Sequence, residues 1–154
     1  KFIGFDSHNE SIVTARLRAS DAGLGENIEF EKAAAKDYSP NGFDLICFMD
    51  CLHDMGDPVG AAKHAKASLN EGGSIMIVEP AANDDLEDNI NPVSRLYYAA
   101  STAVCTPCSR SQEVGLALGA QAGQKRLTEV LLEAGFTSVE RVAETPFNII
   151  LQAK

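Results

Sequence analysis

The chain has 154 residues, 45% of them hydrophobic, with a formal net charge of −9 and a pI near 4.7. This length and composition are typical of one globular domain with a buried core. The acidic balance argues against nucleic acid or an anionic membrane as a partner, and no apolar run approaches the roughly 20 residues of a membrane span. No basic-then-apolar leader is visible, so the expected location is the cytoplasm.

The first half of the sequence alternates strand-like and helical segments. A strand over residues 2–5 is followed by a helix over Asn9–Asp21, which Gly23 ends. The next segments are a strand over Ile28–Ala33, the apolar strand Phe43–Met49, and a helix that begins at Asp57-Pro58 and runs to about Leu69, before Gly72-Gly73. The continuous apolar run FDLICFM predicts a parallel strand covered on both faces, with Cys47 in the core.

The second half begins with a buried strand over Ser74–Val78 and then a long segment, residues 81–123, without strands. Apolar residues at helical spacing predict a helix from Pro92, and a second short helix is expected over Gln112–Leu118. An amphipathic helix through Leu127 and Val130 ends at Gly135. Two final strands, Ser138–Glu144 and Phe147–Ala153, are joined by so short a turn that they must be antiparallel.

This order predicts an α/β fold: a Rossmann-like, mostly parallel sheet with helices on both faces and an antiparallel hairpin at the C-terminus. In such sheets ligands bind beyond the carboxyl ends of the strands. Asp6, Asp50 and Glu79 each follow or end a predicted strand at that edge. Glu79 is open to two interpretations, because the pair Glu79-Pro80 could shape an acceptor site or simply end the strand.

Several sequence segments, in order, resemble the class I S-adenosylmethionine-dependent methyltransferases. They are GFD before a helix, AAAKDY after the next strand, FDLICFMDCLHDMGDP, LNEGGSIMIVEP, and AGF before the terminal hairpin. The resemblance covers nearly the whole chain and implies a single methyltransferase-like domain over residues 1–154. The hairpin resembles the reversed last strand of that family, and the segment 81–123 would be a helical insert that covers the acceptor.

The resemblance implies S-adenosyl-L-methionine as cofactor and assigns its binding residues. Asp6 would accept hydrogen bonds from the ribose hydroxyls, which suits a carboxylate because it can accept two at once. Asp50 would stand near the methionine part and the reacting methyl. The remaining cofactor-binding candidates are Ser7 and His8 beside the adenine or ribose, and Ala34 and Ala35 beside the adenine. Ala34 stands where many members carry an acidic residue, so Asp37 or backbone groups would meet the adenine amine.

The segment Leu52-His53-Asp54-Met55 resembles the HDW-type segment of small-molecule O-methyltransferases. In those enzymes the histidine removes the proton from the acceptor hydroxyl, so the resemblance implies that His53 is the catalytic base and that the acceptor is a small molecule. Imidazole suits the task because its pKa lies near neutrality. Asp54 could orient the ring or cap the next helix. A histidine that only packs or bonds to backbone is the alternative.

The first motif of the family, a strand followed by a glycine-rich turn, does not precede residue 1 in this sequence. We therefore expect an N-terminally truncated domain that binds cofactor weakly or not at all in isolation. The family places the missing strand between the strands at 2–5 and 43–49. Unpaired strand edges would favour association, which leaves room for a homodimer.

Two other functions remain open on the sequence. One is a catalytically inactive methyltransferase-fold module for regulation or dimerisation, and the other is a nucleotide-dependent oxidoreductase, because an acid after a strand also suits NAD. Cys105 and Cys108 form a CTPC pair, the spacing of a redox or zinc half-site. Reduced thiols near a helix end explain the pair equally well, and no metal is assigned.

Overall fold

The computed structural model describes residues 1–39 and 41–154, and the chain divides into two compact units, Lys1–Pro40 and Asn41–Lys154. The first unit contains β1 (Phe2–Asp6), α1 (Asn9–Asp21) and β2 (Ile28–Lys32), with the two strands parallel. Gly4 lies opposite Phe30, and a Cβ at Gly4 would come within 2.7 Å of that ring. The absent side chain therefore lets the Phe30 ring lie against β1.

The second unit is built on a four-stranded sheet of order β3-β4-β6-β5. Its strands are β3 (Phe43–Met49), β4 (Leu69–Pro80), β5 (Val139–Glu144) and β6 (Asn148–Ala153). β3 and β4 are parallel, whereas β6 runs antiparallel to both β4 and β5. The predicted α/β fold and the terminal antiparallel hairpin are confirmed. β4 begins earlier than expected, at Leu69, and its register against β3 shifts between Phe43 and Leu45.

Helices α2 (Pro58–Ser68) and α5 (Gly123–Glu133) contact each other, α2 also contacts β4, and α5 also contacts β5. Asp57 caps α2, since its Oδ1 accepts from the Gly60 N–H at 2.8 Å, and Pro58 occupies the first turn, where no amide donor is required. Alternate residues of the sheet form the core. The buried side chains on this face are Phe48, Ile75, Ile77, Ile149 and Leu151.

The prediction that β3 is covered on both faces, with Cys47 in the core, is wrong. Phe48 is buried, but Leu45 and Met49 are 51% and 61% exposed and Cys47 is exposed as well. Side chains of a strand alternate between faces, so these three residues share the side opposite the core. The apolar run forms the predicted strand, but no described element of this unit buries that side of β3.

The long segment 81–123 is helical only in its middle. It holds α3 (Pro92–Ala100), a π-helical turn (Ser101–Cys105) and α4 (Thr106–Arg110), preceded by a short 3₁₀ turn at Glu87–Asn89. No helix in the described residues is long and apolar enough to cross a membrane. How the segment relates to an acceptor stays a prediction.

The predicted helix over Gln112–Leu118 is wrong. Val114 and Ala117 have positive φ values of 69° and 56°, as does Gly115 at 64°, which no right-handed helix accommodates. The amide groups here bond instead across the fold: the Leu116 N–H donates to the Gly56 carbonyl at 2.9 Å. Tertiary hydrogen bonds have replaced the helical ones, which spacing of apolar residues could not reveal.

Candidate active site

A buried carboxylate holds His53 at the end of the core face. Glu79 is 1% exposed and His53 is 4% exposed, and His53 Nδ1 lies 2.6 Å from Glu79 Oε2. Because a carboxylate can only accept, Nδ1 carries the hydrogen. Glu79 Oε1 accepts from the Leu52 N–H at 2.9 Å, so both oxygens of this buried group have partners. The ring is therefore fixed, and Nε2 is the nitrogen that can take up a proton.

The turn that carries His53 follows directly from β3. The Asp50 N–H still bonds to the Val78 carbonyl at 2.8 Å, and Asp50 then takes a positive φ of 57°. Aspartate tolerates this left-handed conformation better than most residues. The chain next forms the 3₁₀ turn Leu52–Asp54, with Leu52 fully buried. The reversal brings His53 back over the end of β4, where Glu79 lies.

Several carboxylates face the His53 ring. Burial alone would lower the pKa of His53, but the hydrogen bond and charge of Glu79, together with the charges of Asp54 and Asp50, outweigh it, so that this pKa is raised from 6.5. Asp54 Oδ1 lies 3.3 Å from Nε2, on the side away from Glu79. The site is thus arranged to stabilise an imidazolium once the ring has taken up a proton.

Cys105, in the π-helical turn, extends this cluster. His53, Asp54 and Cys105 each offer one donor atom within 4.8 Å of the others, a grouping that could hold a metal ion. Burial and a hydrogen bond with Asp54 raise the pKa of Cys105 to about 11. A thiol must lose its proton to bind a metal, so the arrangement suits a hydrogen-bonded polar cluster better. Cys108 is exposed, and the four cysteines, all in the described residues, are free thiols.

Two further groups near Asp50 are affected by the same negative charges. Burial, Glu79 and, to a lesser extent, Asp50 raise the pKa of the Cys51 thiol to about 12. Burial and the charge of Asp50 raise the pKa of Tyr97, whose hydroxyl donates to the Phe147 carbonyl at 2.9 Å. Cys51 therefore stays a neutral thiol at physiological pH. The hydrogen bond of Tyr97 joins α3 to the residue that precedes β6.

The candidates for the adenosine side of the cofactor lie in the first unit. Asp6 ends β1 and is exposed, and its Oδ1 accepts from the His8 N–H at 2.7 Å. The Ala33 N–H donates to the Asp6 carbonyl at 3.1 Å, so Ala34 and Ala35 follow β2 at the same sheet edge as Asp6. The unit thus brings Asp6, Ser7, His8, Ala34 and Ala35 to one edge. Asp50 and His53 belong to the second unit.

Sequence reasoning left the role of Glu79 undecided, although a signal was present. Glu79 follows Ile75 and Ile77 at the two-residue period of a strand, which places a carboxylate on the core face. A buried carboxylate needs partners, and the nearest polar segment at the same sheet edge is Asp50–Asp54. The alternation therefore pointed to a pairing of Glu79 with this turn.

Comparison with solved structures shows which proteins share this fold. The structure of PigF with SAH aligns with a TM-score of 0.75 at 16% identity, over 99% of this chain and 50% of PigF. An O-methyltransferase family 2 protein from Planctomyces limnophilus, in complex with apigenin, aligns with a TM-score of 0.74 at 18% identity, over 99% of this chain and 42% of that protein. At these identities the likeness establishes the fold.

Sequence comparison shows the family to which the chain belongs. The family model described as "Methyltransferase domain" matches residues 1–135, and the chain belongs to that family. A curated relative, the ubiquinone/menaquinone biosynthesis C-methyltransferase UbiE of Bdellovibrio bacteriovorus, is 29% identical over 76 residues, which is 49% of this chain and 32% of UbiE. The chain spans half or less of the length of the three relatives named above. The expected family membership is confirmed.

Proposed function

We propose that the protein containing this chain transfers a methyl group from S-adenosylmethionine to a hydroxyl of a small molecule, with His53 as the base. The observation that carries the proposal is the Glu79–His53 pair, in which Nδ1 is held at 2.6 Å by a buried carboxylate. Membership of the methyltransferase domain family supports the reaction class. A hydroxyl is an acceptor that benefits from such a base, because it is a weak nucleophile until it loses its proton.

The proposed reaction uses each nitrogen of His53 for one task. Nε2 takes the proton from the acceptor hydroxyl while Nδ1 keeps its hydrogen bonded to Glu79, and the imidazolium formed is stabilised by Glu79 and Asp54. The raised pKa of His53 makes the ring a stronger base. It also lowers the fraction of His53 that is neutral, and so able to accept a proton, near pH 7. The acceptor oxygen is then a more reactive nucleophile, aligned for in-line displacement.

The residues that we propose for cofactor binding are those implied by the resemblance to the family. Asp6 suits a ribose, because its carboxylate is exposed at the end of β1 and oriented by the His8 N–H. Ser7 and His8 follow it, Ala34 and Ala35 offer small side chains for an adenine, and Asp50 would meet the methionine part. When bound, S-adenosylmethionine supplies an electrophilic methyl group on a sulfonium. These assignments, and the homodimer and small-molecule acceptor, are proposals.

The proposal is tested by methyl transfer with the complete gene product and a panel of phenolic and alcoholic acceptors. His53→Gln should lower kcat by about 10²- to 10⁴-fold, the usual contribution of a general base. His64→Gln on α2 is the matched control and should keep wild-type turnover. Undiminished transfer in His53→Gln would contradict the role of His53. Cofactor binding without transfer to any acceptor would favour the inactive regulatory module instead.

A further inference from the structure

One segment, which begins at the end of α4, lies against the turn that carries His53. We call residues 109–119 the clasp and residues 51–56 the histidine turn. Beyond α4 the clasp follows an irregular, partly left-handed path in place of the predicted helix. Five hydrogen bonds join it to the histidine turn: Ser109 Oγ to the Met55 carbonyl (2.8 Å), Gln112 Nε2 to the Asp54 carbonyl (3.0 Å), the Gly56 N–H to Gln112 Oε1 (2.9 Å), the Leu116 N–H to the Gly56 carbonyl (2.9 Å) and the Gly119 N–H to the His53 carbonyl (3.3 Å).

Gln112 is the clasp side chain that bonds to both sides of Met55. Its Nε2 donates to the Asp54 carbonyl, and its Oε1 accepts from the Gly56 N–H. Because a backbone N–H can only donate and a carbonyl can only accept, the network fixes the orientation of this carboxamide. Only an amide offers both functions at this length, so neither methionine nor glutamate reproduces them.

The backbone shows independently that the contact is close. A Cβ at Gly56 would lie 2.5 Å from Gln112 Cβ and 2.6 Å from the Glu113 carbonyl oxygen. The clasp also keeps Val114 at a φ of 69°, a conformation that a β-branched residue rarely adopts. Such backbone strain persists only where surrounding contacts enforce it, and it is concentrated at functional sites.

The clasp bonds to the residue whose carboxylate faces His53 Nε2. Gln112 holds the backbone of Asp54, whose side-chain Oδ1 lies 3.3 Å from His53 Nε2. The other ionisable groups around the ring come from separate elements: Glu79 from β4, Asp50 from the end of β3, and Cys105 from the π-helical turn, next to Asp54. Of the carboxylates near His53, Asp54 is the one whose backbone Gln112 bonds.

We propose that Gln112 is a positioning residue that fixes the histidine turn and thereby keeps the Asp54 carboxylate against His53 Nε2. The inference rests on the proposed function for its catalytic meaning, but the contact itself is independent of it. Without the carboxamide the turn loses its restraint at Asp54 and Gly56, and the base is less well aligned with its acceptor. Misalignment of a base lowers kcat more than it changes cofactor affinity.

The test uses Gln112→Met, which removes both hydrogen bonds to the histidine turn together with the bonds from Nε2 to Cys108. It is compared with Gln152→Met, in which a glutamine of β6 loses one bond to Ser74. In the complete gene product, Gln112→Met should lower kcat by about 10- to 100-fold with the KM for cofactor unchanged. The His53 imidazole signal in NMR should titrate closer to 6.5, because Asp54 has moved away. The chain has three histidines, so assignment is tractable. The control, Gln152→Met, should keep the wild-type kcat and the wild-type titration of His53.

A second variant changes the same contact at the histidine turn instead of at the clasp. Gly56→Ala leaves Gln112 intact but displaces it through the added Cβ, and should reproduce the loss in kcat and the shift in His53 titration. If the complete protein transfers no methyl group, the titration of His53 still tests whether Gln112 positions Asp54. Failure of the proposed function can therefore be distinguished from failure of this inference. Wild-type titration of His53 in Gln112→Met and Gly56→Ala would overturn the proposal, as would wild-type kcat. If Gln112→Met does not fold, Gln112→Glu, which keeps only the acceptor, takes its place.

Discussion

At the scale of single residues, the molecule accommodates a carboxylate on the core face of its sheet. Glu79 is 1% exposed among isoleucines and leucines, where an ionised group is costly unless it is fully bonded. Its two oxygens are met by the Leu52 N–H and by His53 Nδ1. The cost of burial is offset only if the histidine turn stays folded over the end of β4. The catalytic assignment of His53 and the local stability of the turn therefore depend on the same contact.

Replacing Glu79 by glutamine should lower the basicity of His53, because it removes the charge and leaves one acceptor oxygen for two donors. The neutral amide loses a charge-assisted hydrogen bond worth about 1.5–3 kcal/mol, which corresponds to a fall in kcat of about 10- to 150-fold. The pKa of His53 should fall toward 6.5, so the acidic limb of the pH–rate profile should move to lower pH. Glu140→Gln on β5, an exposed position, is the control. An unchanged acidic limb would show that Glu79 does not set the basicity of His53.

The raised pKa of His53 also predicts how stability depends on pH. Below about pH 6.5 the ring is protonated in both the folded and unfolded chain, and its attraction to Glu79 and Asp54 contributes in full. As the pH rises through the higher pKa of the folded state, that contribution is lost. The destabilisation caused by His53→Gln, measured by urea unfolding, should therefore be larger near about pH 6 than near about pH 9. An equal or larger loss at the higher pH would contradict the raised pKa.

At the scale of elements, local signals predicted what local interactions determine. The Asp57-Pro58 pair predicted the start of α2, Gly135 predicted the end of α5, and the short connection near Pro146 predicted the terminal hairpin, all as found. The helix over Gln112–Leu118 could not be excluded from sequence, because its hydrogen bonds go to residues more than 50 positions earlier. The environment of Cys47 likewise depends on what lies beside β3, which its own sequence does not encode.

The cap of α2 gives a prediction that concerns folding alone. Asp57→Ala removes the acceptor for the Gly60 N–H and should lower the free energy of unfolding by about 1 kcal/mol. Asp57→Asn is the matched control, because asparagine caps helices about as well. Urea denaturation followed by circular dichroism measures both. Equal losses in the two variants would show that the charge of Asp57, rather than its capping bond, provides the stabilisation.

At the scale of the whole molecule, family membership is indicated by residues along most of the chain. It depends on the order of several loose motifs, and the family model accordingly matches residues 1–135 rather than one short segment. The sequence predicted the fold class and the importance of the segment around His53, but it left the role of Glu79 undecided, because the pairing joins residues 26 positions apart. The roles proposed for Asp6, Ser7, His8, Ala34, Ala35 and Asp50 rest on resemblance and on their place at strand ends.

The most direct test of the methyltransferase assignment is calorimetric titration of the complete gene product with S-adenosylhomocysteine. We predict saturable binding at one site per chain, weakened at least about tenfold by Asp6→Ala, since one hydrogen bond to a charged group is worth about 1.5–3 kcal/mol. Asp21→Ala, at the exposed end of α1, is the control and should bind as the wild type does. Absence of binding, or binding indifferent to Asp6, would contradict the account.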